Sequence, residues 1–253
     1  MEFNISSSWR GVVGCVKPTY RPGNLEAFIR LLPLGIGVIP MYYHKPGVKL
    51  SNTMKERLER LELAKERAAE LATLKVDLIH LESAPFLMIH GYKGGEEIIS
   101  GIEKKHGIPV FSSGQSQVGA LRALGIKRLV AATYLGEEIT QKCAQYMSEA
   151  GFEVLCFETL HSVGYKYEEI GRINPNNVYS FLKALYLKHK DKNVQGIYML
   201  GSGWPILDII QILEQDLQLP VVAAVPARIW DIQKRLHVRQ PIKGYGRLLE
   251  ELP

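Results

Sequence analysis

Val76-Asp-Leu-Ile-His-Leu-Glu-Ser83-Ala-Pro-Phe86 returns later in the chain as Val194-Gln-Gly-Ile-Tyr-Met-Leu-Gly201-Ser-Gly-Trp204, an offset of 118 (194 − 76). Each copy is a short apolar run that ends in a turn of small residues and passes into a helical pattern. Two other pairs keep nearly the same spacing. The run 12–17 aligns with Leu129-Val-Ala-Ala-Thr-Tyr134 at 117 (129 − 12), and Ile108-Pro109-Val110 returns as Leu219-Pro220-Val221 at 111 (220 − 109). A nearly constant offset over three segments reads as a duplicated unit.

The remaining pattern says what kind of unit is duplicated. Strand candidates fall at 12–17, 35–42, 76–82, 108–112, 128–133, 153–157, 195–200 and 219–224. Helical patterns lie near 51–74, 94–106, 115–124, 136–150, 176–188, 204–216 and 226–236. The longest predicted helix, 51–74, has Ser51 as its expected N-cap and a stripe of Met54, Leu58, Leu61, Leu63, Ala64 and Ala68 at helical spacing. Val- and Ile-rich runs without alternation mark strands covered on both faces, as in parallel sheets crossed over by helices. The prediction is an α/β fold of two similar, pseudo-two-fold units, each an open parallel sheet. The first would comprise 1–114 plus 226–253 and the second 115–225. Ligands in such sheets sit beyond the carboxyl ends of the strands, beside helix N-termini. Four strand ends should therefore surround one cleft: Lys17-Pro18-Thr19, Ser83-Ala84-Pro85, Thr133-Tyr134 and Gly201-Ser202-Gly203.

Composition narrows the chemistry. The 253 residues are 46% hydrophobic and 23% charged, enough for a sizeable core. Thirty-one Lys and Arg against 26 Asp and Glu leave a formal +5, and the densest basic run, Lys188 to Lys192, reads as a solvated helix end. That distribution argues against a nucleic-acid partner and suits a small anionic one. Cys15, Cys143 and Cys156 are too few and too scattered for a disulfide framework or a zinc site, so a reduced, cytoplasmic setting is the expectation. No apolar stretch approaches the roughly 20 residues a bilayer requires, and Met1-Glu2-Phe3-Asn4 does not begin a signal peptide. His80 and His90 lack metal-ligand spacing, and neither a Walker loop nor a G-x-G-x-x-G run is present. Neither metal nor cofactor is predicted.

Gly114-Gln-Ser-Gln-Val-Gly-Ala-Leu-Arg-Ala-Leu-Gly-Ile126, Ala131-Ala-Thr-Tyr134, Gly171-Arg-Ile-Asn-Pro175, Pro220-Val-Val-Ala-Ala-Val-Pro226 with Trp230-Asp231, and Gly244-Tyr-Gly-Arg-Leu-Leu249 follow one another in an order found elsewhere. Over about 10 to 250 the chain resembles the aspartate/glutamate racemase superfamily, within it the branch of arylmalonate decarboxylase and maleate cis-trans isomerase. The resemblance implies two similar α/β units with the site between them, small carboxylic acids as substrates, no cofactor, and self-association. It also implies one cysteine at the end of each repeated strand in racemases and isomerases, and only the second in the decarboxylase. Here those places hold Ser83 and Gly201, or Ala84 and Ser202 on a one-residue shift. A thiol near pKa 8.5 serves as acid or nucleophile, whereas a serine hydroxyl does neither without a base.

Matching positions assign Ser83, Ala84 through its amide, Tyr134, Ser202 and Gly203 to holding a carboxylate and an enolate-like charge. Pro85, Thr133, Thr19 and Gly201 join them at the strand ends. Phe86 and Trp204 follow the two turns as a candidate apolar wall, and His161 lies in a loop able to reach the cleft. Lys17 and Glu82 are further candidates for moving protons, Cys15 a weaker one. The reading is a cofactor-independent enzyme on a small carboxylic or dicarboxylic acid. A decarboxylase-like lyase comes first; an isomerase or racemase with substituted acid and base residues, or a non-catalytic carboxylate binder, are the alternatives.

Overall fold

The computed structural model describes residues 8–18, 24–44 and 53–253. Thr19, and the N-cap expected at Ser51, lie outside the described residues. The elements run β1 (Gly11–Lys17), α1 (Asn24–Leu31), β2 (Ile36–Tyr42), α2 (Met54–Glu59), α3 (Leu61–Thr73), β3 (Leu78–Leu81), α4 (Ala84–Met88), α5 (Gly91–His106), β4 (Val110–Ser112) and α6 (Ser113–Ala123). They continue with β5 (Arg128–Thr133), α7 (Glu137–Glu149), β6 (Glu153–Thr159), α8 (Pro175–His189), β7 (Gly196–Leu200), α9 (Leu207–Leu217), β8 (Val221–Ala223), α10 (Ala224–Arg235) and α11 (Arg247–Glu251).

Two four-stranded parallel sheets result, ordered β2-β1-β3-β4 and β6-β5-β7-β8. The order is the same in each, as a duplication requires. Ile79 pairs with Val110 and Ile197 with Val221, so the offsets of 118 and 111 hold through both sheets. The first strands differ by one residue from the expected match. Val13 faces Leu78 while Leu129 faces Gly196, which puts Thr133 rather than Tyr134 in the place of Lys17.

Helices α6 and α10 pack against each other and join the two units. Ser116 Oγ donates to Asp231 Oδ2 at 2.7 Å, Arg235 Nε donates to Asp231 Oδ1 at 2.9 Å, and Gly119 admits the Trp230 ring so closely that a Cβ there would lie 3.2 Å from it. The first of these helices is capped by its own sequence. Ser112 Oγ accepts from Gln115 N and the Gln115 side chain accepts from Ser112 N, a capping box of order 1 kcal/mol. Ala223 holds the matching place before α10 and offers no side-chain cap.

The helix expected over 51–74 begins instead at Thr53, whose hydroxyl accepts from Glu56 N, and breaks at Arg60 (φ −93°, ψ 0°). The break turns a buried Arg60 onto Glu56 at 2.6 Å. Periodicity marked the apolar stripe and carried no sign of this bend. Helices α1, α4 and α11 are short and were not predicted. Pro85 suits the first turn of α4, because its missing N–H would have had no helical partner there.

Candidate active site

The carboxyl ends of β1, β3, β5 and β7 open on a cleft, with α2 covering one side. Two turns define it. Ser83 follows β3 at φ +79°, a left-handed conformation unusual for a residue with a Cβ, and Gly201 follows β7 at φ +105°. The repeated strands thus end in repeated turns, and the strained one belongs to the wall of the cleft, where such strain clusters. A Cβ on Gly201 would lie 2.6 Å from Cε1 of Tyr134, so the phenol ring fills the space a side chain at 201 would take.

The hydroxyls on this wall are held by fixed donors. Asn24 Nδ2 donates to Ser202 Oγ at 2.7 Å and to Ser202 O at 2.9 Å. Arg57 Nη1 donates to Ser83 Oγ at 3.3 Å, and the Gly203 amide donates to the Tyr134 hydroxyl at 3.0 Å. Ser83 and Ser202, accepting such bonds, keep their own hydroxyl protons as donors for a ligand. Trp204 Nε1 donates to Gly201 O at 2.8 Å and its ring meets Tyr134 edge-on at 5.5 Å, which fixes the second turn from behind.

Beneath the wall lies a charged cluster. Glu82, which borders the cleft, pairs with Lys17 and accepts from Arg228 Nη1 at 2.6 Å. Lys17 also donates to Asn24 Oδ1 at 2.9 Å, and the Arg228 guanidinium lies 4.0 Å from the centre of the Phe28 ring. All three charged side chains are buried, leaving one more cation than anions. Burial alone would raise the Glu82 pKa; Arg228 and Lys17 outweigh it and hold the carboxyl below its ordinary value. Burial, reinforced by Arg228, Lys17 and Arg235, keeps His80 neutral, with a pKa well below 6.5.

Both shifts have the same sign in stability. A group whose pKa is lower in the folded than in the unfolded chain takes up a proton first on unfolding, so stability falls as pH falls. His80 is expected to weaken the fold from about pH 6.5 downward, and Glu82 from about 4.5 down towards its lower folded value. A Tm profile from pH 8 to 4 reads this. His80→Gln should flatten the upper part; an unchanged slope between pH 6.5 and 5 would contradict the assignment.

Of the residues expected at the site, Glu82, Ser83, Ala84, Pro85, Tyr134, Gly201, Ser202 and Gly203 border the cleft. Phe86 borders it too, while Trp204 lines a second cavity behind the Gly201–Gly203 turn. Lys17 is buried beneath the wall, and Thr133 is buried with its hydroxyl donating to Leu200 O at 3.2 Å. His161 sits exposed on a 3₁₀ turn after β6 and borders neither cavity. Sequence reading missed Asn24, Arg57, Arg60, Ser113, Gln117 and Arg228. The last two correspond at the 111-residue offset, a signal present in the repeat. No cysteine borders the cleft. Cys15 and Cys143 are buried, and burial pushes their thiols up to about 11 and about 12; Cys156, partly covered on β6, is pushed up to about 11. Among the described residues no group of three or more His, Cys, Asp or Glu is placed to hold a metal ion, and no helix is long and apolar enough to cross a membrane.

The arrangement has relatives. The maleate isomerase of Geobacillus stearothermophilus is 24% identical over 213 residues, 82% of this chain and 83% of its own. The arylmalonate decarboxylase of Bordetella bronchiseptica is 26% identical over 146 residues, 57% of this chain and 59% of its own. Among solved structures, maleate isomerase from Pseudomonas putida superposes with a TM-score of 0.82 at 20% identity, covering 96% of this chain and 99% of that one. A variant of Nocardia farcinica maleate cis-trans isomerase with a covalently bound succinylcysteine intermediate gives 0.81 at 19% identity, covering 95% and 98%. The sequence pattern of arylmalonate decarboxylase matches residues 42–249, from the end of β2 into α11, which takes in β3, β4 and the whole second sheet. With this match over most of its length and the same fold in the solved structures, the chain belongs to the arylmalonate decarboxylase family.

Proposed function

We propose that this protein is a cofactor-independent enzyme that converts a small carboxylic or dicarboxylic acid through an enolate-like intermediate, and that it is a lyase of the decarboxylating kind. One observation carries the reading. Ser83, Ser202 and Tyr134 each accept a bond from a fixed donor at the two turns, beside a buried cluster with one cation in excess. Such preorganised donors stabilise charge that develops on a carboxylate becoming an enolate, and they do so best where water is excluded. Phe86, packed on Tyr43 with ring centres 5.4 Å apart, supplies part of the apolar surface against which a carboxylate leaves as CO₂.

The cluster supports the cleft's charge rather than moving protons. Two cations hold Glu82 ionised, which makes it a weak base, and Lys17 does not border the cleft. Tyr134 is the proposed proton donor to the carbanion, with Ser83 and Ser202 holding the retained carboxylate. CO₂ departs first and leaves its bonding pair on the enolate; the proton then passes from the phenol oxygen to carbon, and solvent reprotonates the phenolate, which the Gly203 amide stabilises meanwhile.

The test is incubation with malonates, maleate and amino acids while following CO₂ release, isomer composition and optical rotation. CO₂ release that falls at least 100-fold in Tyr134→Phe is the expected result; no turnover of any of these acids would overturn it. A second reading, isomerase, is favoured by relatives named maleate isomerase that span most of the chain. Deuterium uptake at a substrate α-carbon without CO₂ release would replace the lyase by that reading.

A further inference from the structure

The cleft has a wall that the proposed chemistry does not use. It is formed by the first turns of α6, where Ser113 and Gln117 border the cavity opposite the strand-end turns. Gln117 is buried, and its Oε1 accepts from the hydroxyl of Tyr198, itself buried on β7. Its Nε2 has no partner. Turning the amide over would not mend this. Nε2 would then face the Tyr198 oxygen, leaving both Oε1 and the phenolic proton without partners. The tyrosine thus fixes the amide with its N–H groups as the unmet need, and a buried donor without an acceptor calls for an explanation.

Ser113 stands beside it. Its Oγ lies 3.1 Å from His80 Nε2, and His80 Nδ1 has no partner. A hydroxyl both donates and accepts, so Ser113 adds a second uncharged hydrogen-bonding group to the wall next to the unmet Gln117 donor.

Resting on the carboxylate reading above, we infer that the α6 wall, through Gln117 Nε2 and Ser113 Oγ, is a second subsite. It takes an oxygen acceptor on the substrate's substituent, such as a ketone, amide or hydroxyl oxygen, and selects acids that carry one over acids with a hydrocarbon chain. Gln117 and Ser113 are specificity-determining residues there, and His80 and Tyr198 are positioning residues.

Matched acids test this. Dissociation constants by calorimetry for pentanoate, 2-oxopentanoate and 4-oxopentanoate compare one carbon skeleton with and without the extra oxygen. At least one oxo acid should bind tenfold or more tightly than pentanoate. Gln117→Leu should bring that preference below threefold, and Ser113→Ala should reduce it in part. Because Gln117→Leu strands the Tyr198 hydroxyl, the double variant Gln117→Leu/Tyr198→Phe supplies a fully apolar control, and it too should lose the preference. Equal affinities for all three acids, or a preference that survives in the double variant, would overturn the subsite and leave the carboxylate reading standing. Failure of every acid to bind would overturn both.

Discussion

Glu82→Leu is expected to lower the unfolding free energy by about 3–5 kcal/mol, because it leaves two buried cations without their shared counter-ion. Domains of this kind are held by about 5–15 kcal/mol in all, so the variant should unfold at far lower urea and could fail to accumulate. The cause is the arrangement more than the loss of one bond. Among the described residues Lys17 keeps only Asn24 Oδ1 as a partner, and Arg228, whose Nε and Nη2 already lack acceptors, keeps only the face of Phe28. Replacing all three charges, as Lys17→Met/Glu82→Leu/Arg228→Leu, should recover most of the loss, since a well-packed apolar trio needs no desolvated counter-ions. Carboxylate affinity should not recover with it if the excess cation draws the substrate. A loss below 1 kcal/mol in Glu82→Leu would show that water reaches the cluster and that its charge is screened from the cleft.

The second large effect is expected at the turn after β7. Gly201→Cys should destabilise the fold by about 2–4 kcal/mol, combining a side chain forced to a positive φ with overpacking. The added Cβ would lie 2.6 Å from Cε1, 2.8 Å from Cζ and 2.9 Å from the hydroxyl of Tyr134, so the tyrosine must leave its seat against Trp204 and Gly203. Tyr134→Ala in the same chain should relieve the overpacking and leave only the backbone part. A double-mutant cycle should therefore show a coupling of about 1–3 kcal/mol. Strict additivity would mean that the ring and a residue 201 side chain do not compete. The physical content is that a thiol at 201 and the Tyr134 phenol are alternatives at this turn.

Much of this could be read from the sequence because it was repeated. The offsets of 118 and 111 located β3 with β7 and β4 with β8, and they placed Ser83 and Gly201 at turns that share a positive φ. Unalternating Val and Ile runs were sufficient for parallel strands, since both faces of each sheet are covered. The polar half of the site was harder to see. Asn24 sits on an eight-residue helix with no long apolar stripe, and Arg57 and Arg60 reach the cleft only because the chain bends at residue 60. In a periodic reading both arginines belong to a solvent face. Gln117 and Arg228 looked equally ordinary as polar residues inside helices. Their correspondence at 111 residues becomes informative once α6 and α10 are known to pack together, each sending its side chain to the sheet that it does not directly follow in the chain: Gln117 to Tyr198 on β7, Arg228 to Glu82 after β3.

The central claim is that donors fixed at two strand-end turns do the chemistry of this cleft without a thiol. It is tested most directly by CO₂ release from methylmalonate and phenylmalonate after exhaustive treatment with iodoacetamide. The account predicts release at the untreated rate, since no thiol borders the cleft, and a fall to background in Tyr134→Phe. Release abolished by the reagent, or no release from either acid, would contradict it.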